Sequence, residues 1–283
     1  TAQLHECAYY PQLIAADQEG GRVARLKPKY GFKKTPTPEY VGKVDREDTT
    51  RPYARILAEE LAQSGINLNL APVADVANPK CAAVGRYGRC YGTDAETIAR
   101  HAGWFVDENQ RQGVLCTVKH FPGHGNAIDD THFGLVDVSN AWTRAELEPF
   151  QLLIKRNKAP FIMTAHLFNN NIDPNYPATL SRKTLTDLLR GELKYDGVIV
   201  TDDMYMQGII DTYSIERAVV MAINAGADML CVGNNISTGY EPDRPYRLVD
   251  IIVKAVKEGR IPYGRIYEAN RRINAACRRL RNR

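Results

Sequence analysis

Lysine, histidine and aspartate crowd one short segment of the chain, residues 119–132, which reads KHFPGHGNAIDDTH. Histidine transfers protons near neutral pH and also binds metals, so the segment suggests either kind of chemistry. A pair of metal-binding histidines on one helical face is excluded, because Pro122, Gly123 and Gly125 would break a helix here. A metal site carried by a loop stays open. Histidines that bond only to the backbone at a strand end would not explain so many ionisable groups.

Similar side chains recur where apolar runs end. Six runs lie at 13–17, 66–73, 114–121, 159–166, 197–202 and 227–232, and most lack polar alternation, as in strands buried on both faces of a parallel sheet. Polar residues end or follow most of them: Asp17, Asp75, Lys119, His120, His166, Asp202 and Asp203. The carboxyl ends of parallel strands share one edge, where ligands bind. Polar residues at so many strand ends favour a barrel mouth over a doubly wound sheet.

Helical patterns separate these runs. Thr93 with Glu96, and Thr143 with Glu146, match the capping box and precede apolar residues at helical spacing. Alternating strands and helices predict an α/β fold with a parallel sheet. No linker or low-complexity tract divides the chain, which predicts one domain over residues 1–283. No glycine-rich phosphate loop follows any run, which argues against nucleotide binding.

Six segments resemble motifs of glycoside hydrolase family 3, in its β-N-acetylglucosaminidase branch. They are DQEGGRV at 17–23, GINLNLAPVAD at 65–75, RCYG at 89–92, KHFPGHGNAIDDTH at 119–132, MTAH at 163–166 and TDDM at 201–204. These segments occur in the order typical of the family and extend over most of the chain. Cys90 and Thr131 stand where the family pattern has serine.

The resemblance implies a retaining glycosidase. Asp202 would be the nucleophile, and His132 would be the acid/base in place of the second carboxylate of most retaining enzymes. Asp130 would accept a hydrogen bond from the other ring nitrogen of His132 and fix its tautomer. Because glycines precede this loop, we expect it to swing over bound sugar. The expected reaction is exo hydrolysis of terminal β-linked N-acetylglucosamine, from cell-wall muropeptides or chitin oligosaccharides.

The resemblance also implies a set of sugar-binding residues: Asp17, Arg25, Arg89, Lys119, His120 and His166. Asp17 could accept from two vicinal hydroxyls, while the cationic side chains donate at the same end. For Arg25 a surface charge on the first helix is the alternative, and for His166 a buried core histidine. We expect Asp203 to support the nucleophile and His124 to shape the loop.

The fold that the resemblance implies is an α/β, (β/α)8 TIM-barrel-like domain. Fewer residues precede Asp17 than in the family, so we expect the barrel to be incomplete, without the family's N-terminal strand–helix unit. Six strands are too few to close an eight-stranded barrel. Three explanations compete: the segment was trimmed away, the barrel is incomplete and residues 1–12 or a second copy in a homo-oligomer cover its open edge, or further strands are too weak to recognise.

Composition narrows the expected partners to a small carbohydrate substrate. The net charge is only +4, and no aromatic residue lies between the arginines of residues 271–283, so nucleic acid is not an expected partner. No apolar run is long enough for a membrane span. The first residues lack a signal-peptide layout, which favours the cytoplasm unless a leader was removed. No cofactor or metal is implied, and the six dispersed cysteines should be reduced.

Three other activities stay open at this point. A histidine acid/base would let an anionic phosphate approach the sugar, so a glycoside phosphorylase is one alternative. A sugar-binding protein that has lost turnover with the missing barrel unit is the second. A metallohydrolase that uses the histidine-rich loop is the third.

Overall fold

The structure is a computed structural model that describes residues 1, 4, 6, 12–127, 134–234 and 239–281. Its strands within these ranges are β1 Ala15–Ala16, β2 Gln18–Gly20, β3 Val23–Ala24, β4 Leu68–Asn69, β5 Leu115–Phe121, β6 Val136–Asp137, β7 Phe161–Thr164, β8 Leu167–Phe168, β9 Val198–Asp203 and β10 Met229–Cys231. The main sheet has the order β1-β4-β5-β7-β9-β10, and all its neighbours are parallel. Each of these six strands overlaps one of the apolar runs, so the predicted parallel α/β sheet is confirmed.

The register of the sheet brings the carboxyl ends of its strands to one edge. Leu68 pairs with both Ala15 and Leu115, and Phe161 pairs with both Thr117 and Val198. Within the described residues the order runs from β1 to β10 without a pairing that joins those two strands. The sheet is therefore open, and the polar residues that follow its strands share one mouth.

Helices cover the sheet between its strands. They are α1 Pro38–Val44, α2 Glu47–Gln63, α3 Ala95–Arg111, α4 Glu148–Lys155, α5 Gln207–Ile210, α6 Ile215–Ala225, α7 Arg244–Lys257 and α8 Tyr263–Arg281. A π-helical segment spans Lys183–Glu192, and short 3-10 turns include Arg144–Leu147. The apolar stripes pack inward, as Leu57 of α2 and Phe105 of α3 show, because each is almost fully buried.

Both predicted capping boxes are wrong in detail. The cap of α3 is Asp94, whose Oδ2 accepts from Thr97 N at 2.8 Å. Thr143 precedes a 3-10 turn and makes no side-chain cap bond, and the carboxyl of Glu146 instead accepts from Gly125 N at 3.1 Å. A capping-box pattern considers only residues close in sequence, so it does not predict that the Glu146 carboxyl accepts from a distant donor such as Gly125 N.

The terminal helix α8 closes the end of the sheet opposite the mouth. Ala276 packs on a cluster formed by the first residues of four strands, Leu68, Leu115, Phe161 and Val198. Most arginines of α8 face solvent as predicted, but Arg272 lies 3.0 Å from Asp196 and 3.4 Å from Asp228 and is only 14% exposed. In the described part of the chain, no helix has the length and apolar character needed to cross a membrane.

Candidate active site

Two acidic side chains follow β1 at the mouth. Asp17 comes directly after β1, and Glu19 lies in β2, which forms an antiparallel hairpin with β3. The Glu19 side chain is 1% exposed, whereas that of Asp17 keeps 24% exposure. Asp17 can therefore contact a ligand directly, and Glu19 acts from beneath.

Lys119, near the end of β5, joins these two carboxylates. Its Nζ lies 2.8 Å from Asp17 Oδ1 and 2.7 Å from Glu19 Oε1. Burial alone would raise the pKa of both carboxyls, but the charge and hydrogen bonds of Lys119, with Arg89, outweigh burial and hold both pKa values below their usual range. Both acids are therefore ionised at neutral pH.

Two arginines reach the same carboxylates from opposite sides. Arg89 donates from Nε and Nη2 to the two oxygens of Glu19, at 2.8 and 2.7 Å, and its side chain is 13% exposed. This bidentate pair fixes the guanidinium plane. Arg25 donates to Asp17 Oδ2 at 2.7 Å but is 60% exposed. Arg25 follows β3 rather than lying on a helix and reaches Asp17 from solvent, and its contact with sugar stays a prediction.

His120 is oriented by a buried aspartate at the end of the neighbouring strand segment. Its Nδ1 lies 2.7 Å from Asp75 Oδ2, and Asp75 Oδ1 accepts from the backbone N–H of His120 and His124 at 3.1 and 2.8 Å. Burial lowers the pKa of His120, although Asp75 opposes this effect. The ring is therefore neutral at pH 7, with Nδ1 donating to Asp75 and Nε2 accepting, 3.5 Å from Arg89 Nη2.

Asp202 is the second-last residue of β9 and lies on the same edge, two strands from β5 in the sheet. Its side chain is partly exposed, and its Oδ1 accepts from Asp203 N at 2.8 Å. Burial would raise the pKa of Asp202, but His166, His120 and the Asp203 N–H lower it below its usual value. Within the described residues no lysine or arginine forms an ion pair with Asp202. The carboxylate is thus ionised and keeps one oxygen for another contact.

Asp203 and His166 fix the end of β9 next to Asp202. Asp203 Oδ1 accepts from Tyr205 N at 3.0 Å and from Gly233 N at 2.7 Å, which ties the ends of β9 and β10 together. His166 is fully buried, with Nε2 donating to Asp203 O at 2.9 Å and Nδ1 2.8 Å from Thr179 Oγ1. Because both ring nitrogens have protein partners, His166 holds the backbone of β9, and its contact with sugar stays a prediction.

The predicted acid/base residues, Asp130 and His132, lie outside the described residues. The chain leads toward them through a buried segment, in which His124 and Gly125 are bonded through their backbone N–H groups to Asp75 and Glu146. In the described part of the chain, no cluster of three or more His, Cys, Asp or Glu side chains could hold a metal ion.

Sequence reasoning missed three residues of this site. Asp75 was recognised as a polar residue at a strand end and Glu19 only as part of the motif DQEGGRV, but neither was recognised as the acid that fixes His120 or Arg89. Their position after a buried strand was the available signal, since a buried carboxylate needs a partner. Glu146 was interpreted as part of a helix cap, because its spacing from Thr143 matches the capping box.

The arrangement suits a ligand rich in hydroxyl groups. Asp17 offers acceptors, Arg89 and Lys119 offer charged donors, and a vicinal pair of hydroxyls can donate and accept at once. Asp202 lies at the same edge as an ionised carboxylate on a strand of the main sheet. Such a mouth can hold a sugar ring by its hydroxyls while a carboxylate attacks the ring carbon.

The comparisons with known proteins agree with this description. A model described as the glycosyl hydrolase family 3 N terminal domain matches residues 1–276. A β-hexosaminidase of Idiomarina loihiensis is 36% identical over 240 residues, which are 82% of this chain and 70% of that protein. A β-hexosaminidase of Pseudomonas aeruginosa is 36% identical over 227 residues, 79% of this chain and 66% of that protein.

Solved structures give the same result. A glycoside hydrolase family 3 β-N-acetylglucosaminidase from Paenibacillus has a TM-score of 0.87 and 38% identity, covering 96% of this chain and 50% of that one. A β-N-acetylhexosaminidase from Beutenbergia cavernae has a TM-score of 0.85 and 35% identity, covering 94% of this chain and 78% of that one. These matches confirm the barrel-like α/β fold and the family that the motifs indicated. The chain belongs to glycosyl hydrolase family 3.

Proposed function

We propose that this chain is a retaining exo-β-N-acetylglucosaminidase. The observation that carries the proposal is Asp202: an ionised, partly exposed carboxylate at the end of β9, beside Lys119 and His120. The names of the relatives, β-hexosaminidase and β-N-acetylglucosaminidase, support the choice of sugar. Because the chain spans only part of these relatives, the activity of the whole protein belongs to this proposal.

In the first step, an Asp202 oxygen attacks the anomeric carbon while the glycosidic C–O bond breaks. The leaving oxygen takes the proton of His132, and a covalent glycosyl ester forms on Asp202. The lowered pKa of Asp202 favours this role, since the nucleophile must be ionised. Asp203 and His166 keep its backbone fixed during the attack.

In the second step, water attacks the same carbon and returns its proton to His132. The ester bond to Asp202 breaks, and the sugar leaves with its original β configuration. Asp130 would hold the His132 ring in one tautomer throughout. A histidine with an ordinary pKa near 6.5 can serve as acid and then as base at neutral pH.

Sugar binding would rest on the network around Asp17. Asp17 accepts from two hydroxyls, and Arg89, Lys119 and His120 contact the same end of the ring. Muropeptide fragments are the first proposed substrate and chitin oligosaccharides the second. The single domain over residues 1–283, the cytoplasmic location and a homo-oligomer at the open edge remain predictions.

The stereochemistry of hydrolysis tests this function. Proton NMR of 4-nitrophenyl N-acetyl-β-glucosaminide during turnover should show β-N-acetylglucosamine first and the α anomer only after mutarotation. The matching glucoside, which lacks the acetamido group, should react at least about 100-fold more slowly. The α anomer appearing first, or equal rates for the two sugars, would contradict the proposal. Adding phosphate separates hydrolysis from phosphorolysis, because only a phosphorylase would form sugar 1-phosphate.

A further inference from the structure

Glu146 is a buried carboxyl that faces the histidine-rich loop instead of its own helix. It lies on the 3-10 turn Arg144–Leu147 and is 2% exposed. Its Oε2 accepts from Gly125 N at 3.1 Å, and its Oε1 accepts from Asn126 Nδ2 at 2.9 Å. In the described part of the chain neither lysine nor arginine pairs with it. The carboxyl is thus committed to one short stretch of backbone and one amide.

That stretch, residues 122–127, is called the stem here, because it carries the chain from β5 to residues 128–133. The stem is packed without space on two sides. A Cβ added to Gly123 would lie 2.6 Å from Glu146 Cβ, and one added to Gly125 would lie 2.0 Å from Val76 O. Neither position can accept a side chain without displacing its neighbours.

Further hydrogen bonds hold the stem along its length. Trp142 Nε1 donates to Pro122 O at 3.0 Å, and His124 N donates to Asp75 Oδ1 at 2.8 Å. Asn78 Nδ2 donates to Asn126 Oδ1 at 2.9 Å, so the Asn126 amide is held from both ends. Glu146 makes the contacts nearest to the exit of the stem, at Gly125 and Asn126.

We infer that Glu146 is a positioning residue, which fixes the direction in which the chain carrying Asp130 and His132 leaves the sheet. The inference rests on the proposed function, since it assigns the acid/base to that segment. Asp130 follows the stem by only three residues, so the end of the stem limits the distance at which Asp130 can lie from it to about 11 Å. A displacement of about 1 Å in such a group is enough to lower a catalysed rate about 100-fold.

The electrostatic environment of Glu146 supports a specific role for its carboxyl group, because burying this group is unfavourable. Burial raises the pKa of Glu146 to about 7, and Asp75 adds to this effect, while the donors Asn126 and Gly125 oppose it. An interior carboxyl without a cation is unfavourable. A glutamine or an apolar residue would fill the same space without that penalty.

The test compares Glu146→Gln with Glu148→Gln, an exposed neighbour on the same segment. Glutamine at 146 presents an amide N–H₂ to one of the two donors and so loses one hydrogen bond. Misplacing the acid should matter most when the leaving group needs a proton. With a 2,4-dinitrophenyl N-acetylglucosaminide kcat/KM should fall less than about 3-fold, and with a poor alkyl leaving group about 30- to 100-fold.

The control Glu148→Gln should change neither rate by more than about 2-fold, as expected for an exposed side chain. Asn126→Ala, which removes the other partner of Glu146 at a half-exposed position, should show the same leaving-group dependence as Glu146→Gln. It provides a second variant if Glu146→Gln does not fold. Equal losses on both substrates, or no loss on either, would overturn the inference.

Amide hydrogen exchange gives a readout that does not need activity. Peptides covering residues 122–135 should exchange at least about 5-fold faster in Glu146→Gln than in the wild type, and peptides from β9 should not change. If the wild-type protein releases no aryl group from any N-acetylglucosaminide, the proposed function fails, while the exchange experiment still tests the positioning. Unchanged exchange in the stem and beyond it would refute the role of Glu146.

Discussion

The two sides of the candidate site are held in place by different interactions. On one side, Asp17, Glu19, Asp75, Arg89, Lys119 and His120 form a connected set of ion pairs and imidazole bonds, which we call the floor. On the other side, the stem is held by backbone N–H groups, a neutral amide and the carboxyl of Glu146. The floor is held by ion pairs and the stem by hydrogen bonds and close packing, with Asp75 contacting both.

This difference matches the tasks that we propose for the two sides. Sugar hydroxyls are small and polar, so a floor with preset donors and acceptors can bind them with little rearrangement. An acid/base that serves two steps must instead approach the leaving oxygen and then water. The stem, which forms hydrogen bonds with Asp75, Asn78, Trp142 and Glu146, is the described part of the chain that leads to this group.

The largest effect should come from Asp202, the proposed nucleophile, which belongs to neither set of contacts. Asp202→Asn keeps the volume of the side chain and removes its charge. We expect kcat/KM to fall at least about 10³-fold on every N-acetylglucosaminide, whatever the leaving group. This uniform loss contrasts with the leaving-group dependence expected for Glu146→Gln. Substantial activity of Asp202→Asn on the dinitrophenyl substrate would break the assignment.

The floor should depend strongly on Lys119 for its stability. Lys119→Met leaves Asp17 and Glu19 without their shared cation, and both are held in the interior of the mouth. We expect the free energy of unfolding to fall by about 3–5 kcal/mol in urea denaturation. Lys43→Met is the matched control, because the Lys43–Glu39 pair is 72% exposed at the lysine and should be silent. Equal stability of the two variants would show that the floor is not held by charge.

The two sides should also respond differently to pH. Asp17 has a folded pKa below its ordinary 3.8, so its contribution to stability is present above that pH and is lost only as the pH falls through the lower folded value. Glu146 has a pKa raised from 4.5 to about 7, so its contribution is present below pH 4.5 and is lost as the pH rises through about 7. Among the described residues, Asp75 is the charged group whose field raises the pKa of Glu146.

Stability measurements between pH 4.5 and 8 should separate these effects. The difference between the wild type and Asp17→Asn should stay constant, while the difference between the wild type and Glu146→Gln should decline with rising pH. The displacement of the Glu146 pKa from 4.5 to about 7 corresponds to a decline of about 3 kcal/mol. If the stability difference between the wild type and Glu146→Gln did not change with pH, the floor and the stem would not differ in their electrostatics.

The smallest effect should come from Arg25, which contacts the floor from solvent. Its bond to Asp17 is 2.7 Å long, but its side chain is 60% exposed, so solvent weakens the pair. Arg25→Ala should raise KM about 2- to 5-fold and leave kcat unchanged, as measured on the 4-nitrophenyl substrate. A fall in kcat above 10-fold would show that Arg25 orients Asp17 during the reaction.

The sequence predicted the sheet well because its strands are recognised locally. Each apolar run coincides with a strand, and the end of each run identifies the edge that carries Asp17, Lys119 and Asp202. The partners of those residues were not predictable in the same way. Glu19 and Arg89 are 70 positions apart, and Glu146 and Gly125 are 21 apart, so only the folded chain brings them together. The spacing of Glu146 from Thr143 favoured a helix cap that tertiary contacts then replaced.

The most direct test of the account is to trap the covalent intermediate. A 5-fluoro N-acetyl-β-glucosaminyl fluoride should react with the protein, slow the hydrolysis of the ester and leave a stable adduct. Peptide mapping by mass spectrometry should then find one sugar on the peptide that contains Asp202, and none in Asp202→Asn. A label on another acid, such as Asp203 or Asp17, would contradict the central claim, as would complete turnover without any adduct.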